Sequence, residues 1–143
     1  MLYLLEHLTQ VLTSDSSLTA LVPADAITPT YRRPAESDTA VEYDISDQAR
    51  LPDGKQGCEL RVYIHSRISV LRCWEIAEVL QTLMVAKTLT RRVDPDPLRD
   101  KPFVVSQVRQ ITARREPRDE WANTLLLEYS LRICELNGVR QNQ

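Results

Sequence analysis

Cys58-Glu59-Leu60-Arg61-Val62-Tyr63-Ile64-His65 is the stretch on which the fold turns. Its residues alternate without a break. Cys58, Leu60, Val62 and Ile64 face one way, and Glu59, Arg61, Tyr63 and His65 face the other, which is the period of a half-buried strand. A few residues later the period changes. From Ser69 to about Lys87, an apolar stripe runs through Cys73, Ile76, Ala77, Leu80, Leu83 and Met84, with Glu75, Glu78 and Gln81 on the polar side. That spacing predicts an amphipathic helix, and Trp74 and Val79 widen its apolar surface enough to meet more than one element.

Upstream, Val41-Glu42-Tyr43-Asp44-Ile45 alternates in the same manner. It is joined to the first strand through Ser46 to Gly57, where Pro52-Asp53-Gly54 is a turn signal. Two strands so connected predict a hairpin with a long, functional loop. At the start of the chain, Met1, Leu4, Leu5, Leu8, Val11 and Leu12 keep helical spacing. Asp15 or Ser16 caps a short second turn holding Leu18, Leu21 and Val22, which Pro23 ends. Residues 24–40 read as loop, with room for a short extended piece around Ile27 to Tyr31.

Downstream, Pro95, Pro97 and Pro102 forbid regular structure between Arg91 and Pro102. Two long strands follow. Phe103 to Arg115 carries Val104, Val105, Val108 and Ile111. Asn123 to Glu135 places Leu125, Leu127, Tyr129, Leu131 and Ile133 on one face. The polar tail, 137–143, reads as frayed. The order α, β, β, α, β, β predicts a single α+β domain over 1–143. Its expected architecture is a four-stranded, mostly antiparallel sheet with two helices packed on one face.

A chain of 143 residues needs no staple to bury a core. Its net charge of -2 argues against a general nucleic-acid binder. No apolar run reaches the roughly 20 residues of a membrane span, and the N-terminus lacks the basic leader of a signal peptide. Cys58, Cys73 and Cys134 are too few and too scattered for a disulfide framework or a zinc site, and read as buried thiols. Asp94, Asp96 and Asp100 lack the glycine and closing glutamate of a calcium loop. With only three glycines, the chain has neither a phosphate loop nor a dinucleotide fingerprint. His65 has no nucleophile motif beside it and reads as a surface or interface histidine. These readings predict no catalytic residue, cofactor or metal.

Charge collects near the last hairpin turn, where Arg109, Arg114, Arg115 and Arg118 mix with Glu116, Asp119 and Glu120. Mixed charge of this kind sets partner choice more than stability. With Asp53 and Lys55 in the Ser46 to Gly57 loop, these residues form the expected assembly interface. The sheet's second face, bearing Thr124, Leu126, Glu128, Ser130, Arg132 and Cys134, is polar enough to meet solvent or a partner. Open sheets leave edges to be covered, and head-to-tail contacts between copies close into rings. From a different class, an RNA-binding α+β domain would stack bases on Tyr63 and His65, but the basic surplus is missing.

The Leu-rich opening helix, the Leu-x-x-Leu-Val-Pro turn at Leu18 to Pro23, the strand Val41 to Ile45 and the unit from Gly57 through Ile64 into a helix carry a resemblance. Together they resemble the tail completion (tail terminator) proteins of tailed bacteriophages. The resemblance covers residues 1 to 90, and extends to the final hairpin by topology alone. It implies a virion protein of the tail and neck, assembled in the host cytoplasm. It further implies a homo-hexameric ring that caps the tail tube, stops its polymerisation and meets the head-neck connector. Genome DNA would pass through the lumen without sequence-specific binding, which suits a near-neutral chain. A head-closure or other neck connector subunit is the related alternative. The Pro-rich 91–102 segment and the arginine-rich tip depart from the family pattern.

Overall fold

The computed structural model describes residues 2–46, 49–52, 55–91, 103–118 and 120–135. Helix α1, Leu2–Ser14, puts Leu4, Leu8 and Leu12 on its buried side, four residues apart. Asp15 caps the one-turn α2, Ser16–Thr19, by accepting from the Leu18 amide at 2.9 Å. Pro23 then leads into a 3-10 turn over Ala24–Ala26. Strand β1, Ile27–Pro29, follows directly.

Strand β2, Thr39–Ile45, runs parallel to β1 and antiparallel to β4, Gln56–Ser66. The two-residue β3, Ala49–Arg50, folds back on the start of β4. Helix α3, Val70–Leu83, starts at Ser69, whose hydroxyl accepts from the Arg72 amide. The chain breaks at Met84 and Val85 before the one-turn α4, Ala86–Leu89. Strands β5, Phe103–Arg115, and β6, Asn123–Glu135, form a long antiparallel hairpin, with β6 docked on β4.

The main path of the sheet is β1-β2-β4-β6-β5, with β3 off the path. Among the described residues the sheet is therefore mixed, five strands across its main path, and four helices accompany it. This corrects the expected four mostly antiparallel strands and two helices. The reasons are local. Ile27, Thr28 and Pro29 are all buried, so β1 shows no alternation to recognise. Being parallel, it lacks the hairpin turn that marks an antiparallel partner. The two extra helices, at four residues each, are too short to show a 3.6-residue period.

One apolar core joins the helices to the sheet. Val41, Tyr43, Leu60, Val62, Ile64, Leu125, Leu127 and Leu131 meet Leu4, Leu8, Ile76 and Leu80 there. Each buried aliphatic side chain contributes about 1.5–3 kcal/mol. The Tyr43 hydroxyl shares a hydrogen bond with Thr9, tying α1 to β2 through this apolar layer. Among the described residues, no helix is long and apolar enough to cross a membrane.

Candidate functional site

The sheet's other face carries the polar groups, and each strand contributes by alternation. β2 supplies Glu42 and Asp44; β4 supplies Arg61, Tyr63 and His65; β6 supplies Thr124, Leu126 and Glu128. Register lines them up, with Asp44 opposite Arg61 and Arg61 opposite Glu128. Arg61 Nε donates to Asp44 at 3.0 Å, and the Asp44 carboxylate raises the pKa of Arg61 further. Arg114 lies 3.8 Å from Glu128 and 3.7 Å from Glu116, and Glu116 accepts from Arg118 at 2.9 Å. Charge thus alternates in sign from β2 to the hairpin tip.

That tip curls back over its own sheet. The Arg118 guanidinium sits 4.4 Å above the Tyr63 ring. Trp121 stacks on His65 at 4.8 Å, nearly parallel, and Arg67 covers the far side at 4.6 Å from the indole. Each cation–ring contact of this kind stabilises by about 0.5–1 kcal/mol where water reaches it. Beneath this cover the His65 imidazole is 2% exposed, its Nε2 2.9 Å from Glu42 and its Nδ1 2.8 Å from the Thr124 hydroxyl. His65 is not the surface side chain that alternation predicts. Alternation places it on the polar face correctly, but Trp121, 56 positions away, buries that corner.

Carboxylate, imidazole and hydroxyl in line is an arrangement that hydrolases use. The sequence does not point to it, because Glu42, His65 and Thr124 come from three strands that meet only in the sheet. Here the hydroxyl belongs to a buried threonine, and one face of the ring is stacked on the Trp121 indole. The arrangement braces the corner. Arg118 lies over the Tyr63 ring and Trp121 over the His65 ring, the two rings that base stacking would need. An open groove of about 470 Å³ reaches this corner, bordered by Glu42, Asp44, Tyr63, His65, Arg118 and Trp121. Its walls carry both signs of charge.

The expected interface residues fall at two ends of the sheet. Arg114, Arg118 and Glu120 belong to the tip, near the end of β4 at Ser66, which pairs with Asn123. Lys55 precedes the other end of β4, and its carbonyl accepts from the Leu51 amide at 2.8 Å. Ten residues of strand separate these ends, about 33 Å at about 3.3 Å per residue. Arg109, opposite Ser130, faces the polar side of β5, whereas Arg115, opposite Leu125, faces the helices. Asp53 and Asp119 lie outside the described residues, as do the Pro-rich 92–102 segment with Asp94, Asp96 and Asp100, and the 137–143 tail.

Cys58 and Cys73 are buried free thiols, and burial pushes both up, Cys58 to about 11. Cys134 is exposed, contrary to the expectation of three buried thiols. Among the described residues no cluster of three or more His, Cys, Asp or Glu side chains could hold a metal ion.

Comparison with protein-family models finds no match, and neither does comparison with curated proteins. Among solved structures, a chain from the virion of a native gene transfer agent particle shares the fold, with a TM-score of 0.58. The match covers 88% of this chain and 89% of that one at 14% sequence identity.

Proposed function

We propose that this protein is a structural subunit of a phage-type particle. In this reading it forms a ring, a hexamer by resemblance, that caps the tail tube, stops its growth and joins it to the head-neck connector. It performs no catalytic step and holds no cofactor. The observation that carries the reading is the fold shared with a gene transfer agent virion chain over nearly the full length of both. The residue-level resemblance to tail terminators, drawn from other features, points the same way.

The two-ended layout of the sheet supports it. A capping ring must meet one neighbour above and another below. The charged tip and the Ser46 to Gly57 loop lie at opposite ends of β4, about 33 Å apart. Each end can then serve a different partner.

Particles assembled without this protein test the reading directly. Electron microscopy should show overlong tail tubes separate from filled heads. Tails of normal length beside heads that leak DNA would instead assign the chain to head closure. Normal particles in normal numbers would refute both. On this reading, reversing Arg114, Arg115 and Arg118 to Glu impairs assembly while the isolated chain stays folded.

A further inference from the structure

The outer side of α3 is not the polar face its sequence predicts. Leu71 is 66% exposed and Trp74 41% exposed, and Glu75 and Glu78 stand beside them on the same stripe. Neither glutamate has an ion-pair partner among the described residues. Strand β5 ends the sheet, and its register slips between Gln110 and Thr112. Ile111 is the extra residue at that slip and is 52% exposed. A bulge re-aims a side chain in just this way. Two positions away is Arg109, exposed and also without an ion-pair partner among the described residues.

We propose that β5 of one copy docks on α3 of a second copy, with Ile111 against Leu71 and Trp74 and Arg109 pairing with Glu75 and Glu78. This rests on the reading that copies of the chain assemble, and it names the contact. Three observations support it. The charges are complementary and unspent. Within one chain Arg109, opposite Ser130, faces the polar side of the sheet, while α3 packs on the other side, where its Gln81 reaches only Gln110 of β5. The spacings match: Ile111 to Arg109 is two strand residues, about 7 Å, and Trp74 to Glu78 is four helical residues, about 6 Å. Since the two surfaces differ, the contact runs head to tail, as ring closure requires.

Charge reversal with light scattering tests it. The unaltered chain should give a mass above a dimer. Glu75→Lys with Glu78→Lys should leave a folded monomer, and so should Arg109→Glu alone. Mixed one to one, the two variants should regain the full mass, because every contact is then complementary again. If reversal unfolds the chain, the milder pair Glu75→Gln and Glu78→Gln should raise the concentration for half-assembly about tenfold. Variants that assemble like the unaltered chain would overturn this contact and leave the ring reading standing. A mixture that stays monomeric would also overturn it, and one that stops at a dimer would overturn its head-to-tail geometry. An unaltered chain that stays monomeric at every concentration would overturn the ring reading and the contact together.

Discussion

The two faces of this sheet are both buried in part, but by different means. On one face four helices seal a continuous apolar layer. On the other, the chain's own hairpin tip covers a single corner, where Trp121 lies on His65 and Arg118 on Tyr63. The first face holds the fold together. The second keeps the tip in place and leaves alternating charge across the rest. Substitutions on the helix face should therefore cost stability, while those on the polar face should change the tip, the salt response and assembly.

The largest effect belongs to the helix face. Leu60→Ala removes a fully buried side chain and should destabilise by about 2–5 kcal/mol, measured by denaturant unfolding. A loss as small as that of a surface substitution would undo the contrast. Trp121→Ala should cost less, about 2 kcal/mol, from lost stacking and cation–ring contact. Its sharper signature is local. Amide exchange should quicken at the tip and at His65, while the helix-covered strands stay protected.

Two tyrosines refine the comparison further. Burial raises both Tyr43 and Tyr129 to about 12, although the Tyr43 hydroxyl is bonded to Thr9 and that of Tyr129 has no partner among the described residues. Tyr43→Phe should lose about 1 kcal/mol at pH 7, the net value of a hydrogen bond. Tyr129→Phe should lose nothing, since it removes an orphaned hydroxyl. The pH sign is the same for both. The folded state keeps these protons to higher pH than the unfolded chain, whose value is 10.0. Their contribution is full below pH 10 and falls as pH rises towards 12. Thermal melts across that range should show the decline, reduced in the Phe variants.

On the acid side the sign reverses. His7 packs edge-on to Phe103, and burial first, then Arg91, lowers its pKa. The Thr88 backbone opposes that shift without reaching a hydrogen bond to either ring nitrogen. The unfolded chain takes up this proton first, so stability is lost as pH falls through 6.5. His7→Gln should flatten that limb of a stability-versus-pH curve. The smallest effect is expected at Arg61 and Asp44, which are about a third exposed. A double-mutant cycle should give a coupling under about 1 kcal/mol, weakening further with added salt.

Alternation made β4 and β6 legible from residue to residue, because each repeats its period several times, whereas β5, broken by two register slips, showed only its length and apolar content. The helix start near Ser69 was equally plain, although its cap was not. The short turn capped by Asp15 and an extended piece near Ile27 were also foreseen, but not that the latter joins the sheet. What stayed hidden were the one-turn α4 and the parallel β1–β2 pairing that makes the sheet mixed. The corner over His65 was hidden for another reason. Side-chain alternation tells which way a residue points, but not what another part of the chain lays on top of it. The expected tip arginines are also divided by the sheet. Arg109 and Arg114 lie on the polar side, Arg118 is over Tyr63, and Arg115 turns toward the helices.

The displaced Ile111 has one more consequence. A thirteen-residue margin strand with free amides and carbonyls would ordinarily invite endless stacking of copy upon copy. Here the first residues are already engaged, since Arg91 exchanges hydrogen bonds with Phe103 and the Thr90 hydroxyl accepts from the Val105 amide. Beyond them, two slips of register, at Val105/Gln107 and Gln110/Thr112, break the backbone pattern that a fibre would need. The same edge that closes a hairpin thus carries its own limit on edge-to-edge strand addition.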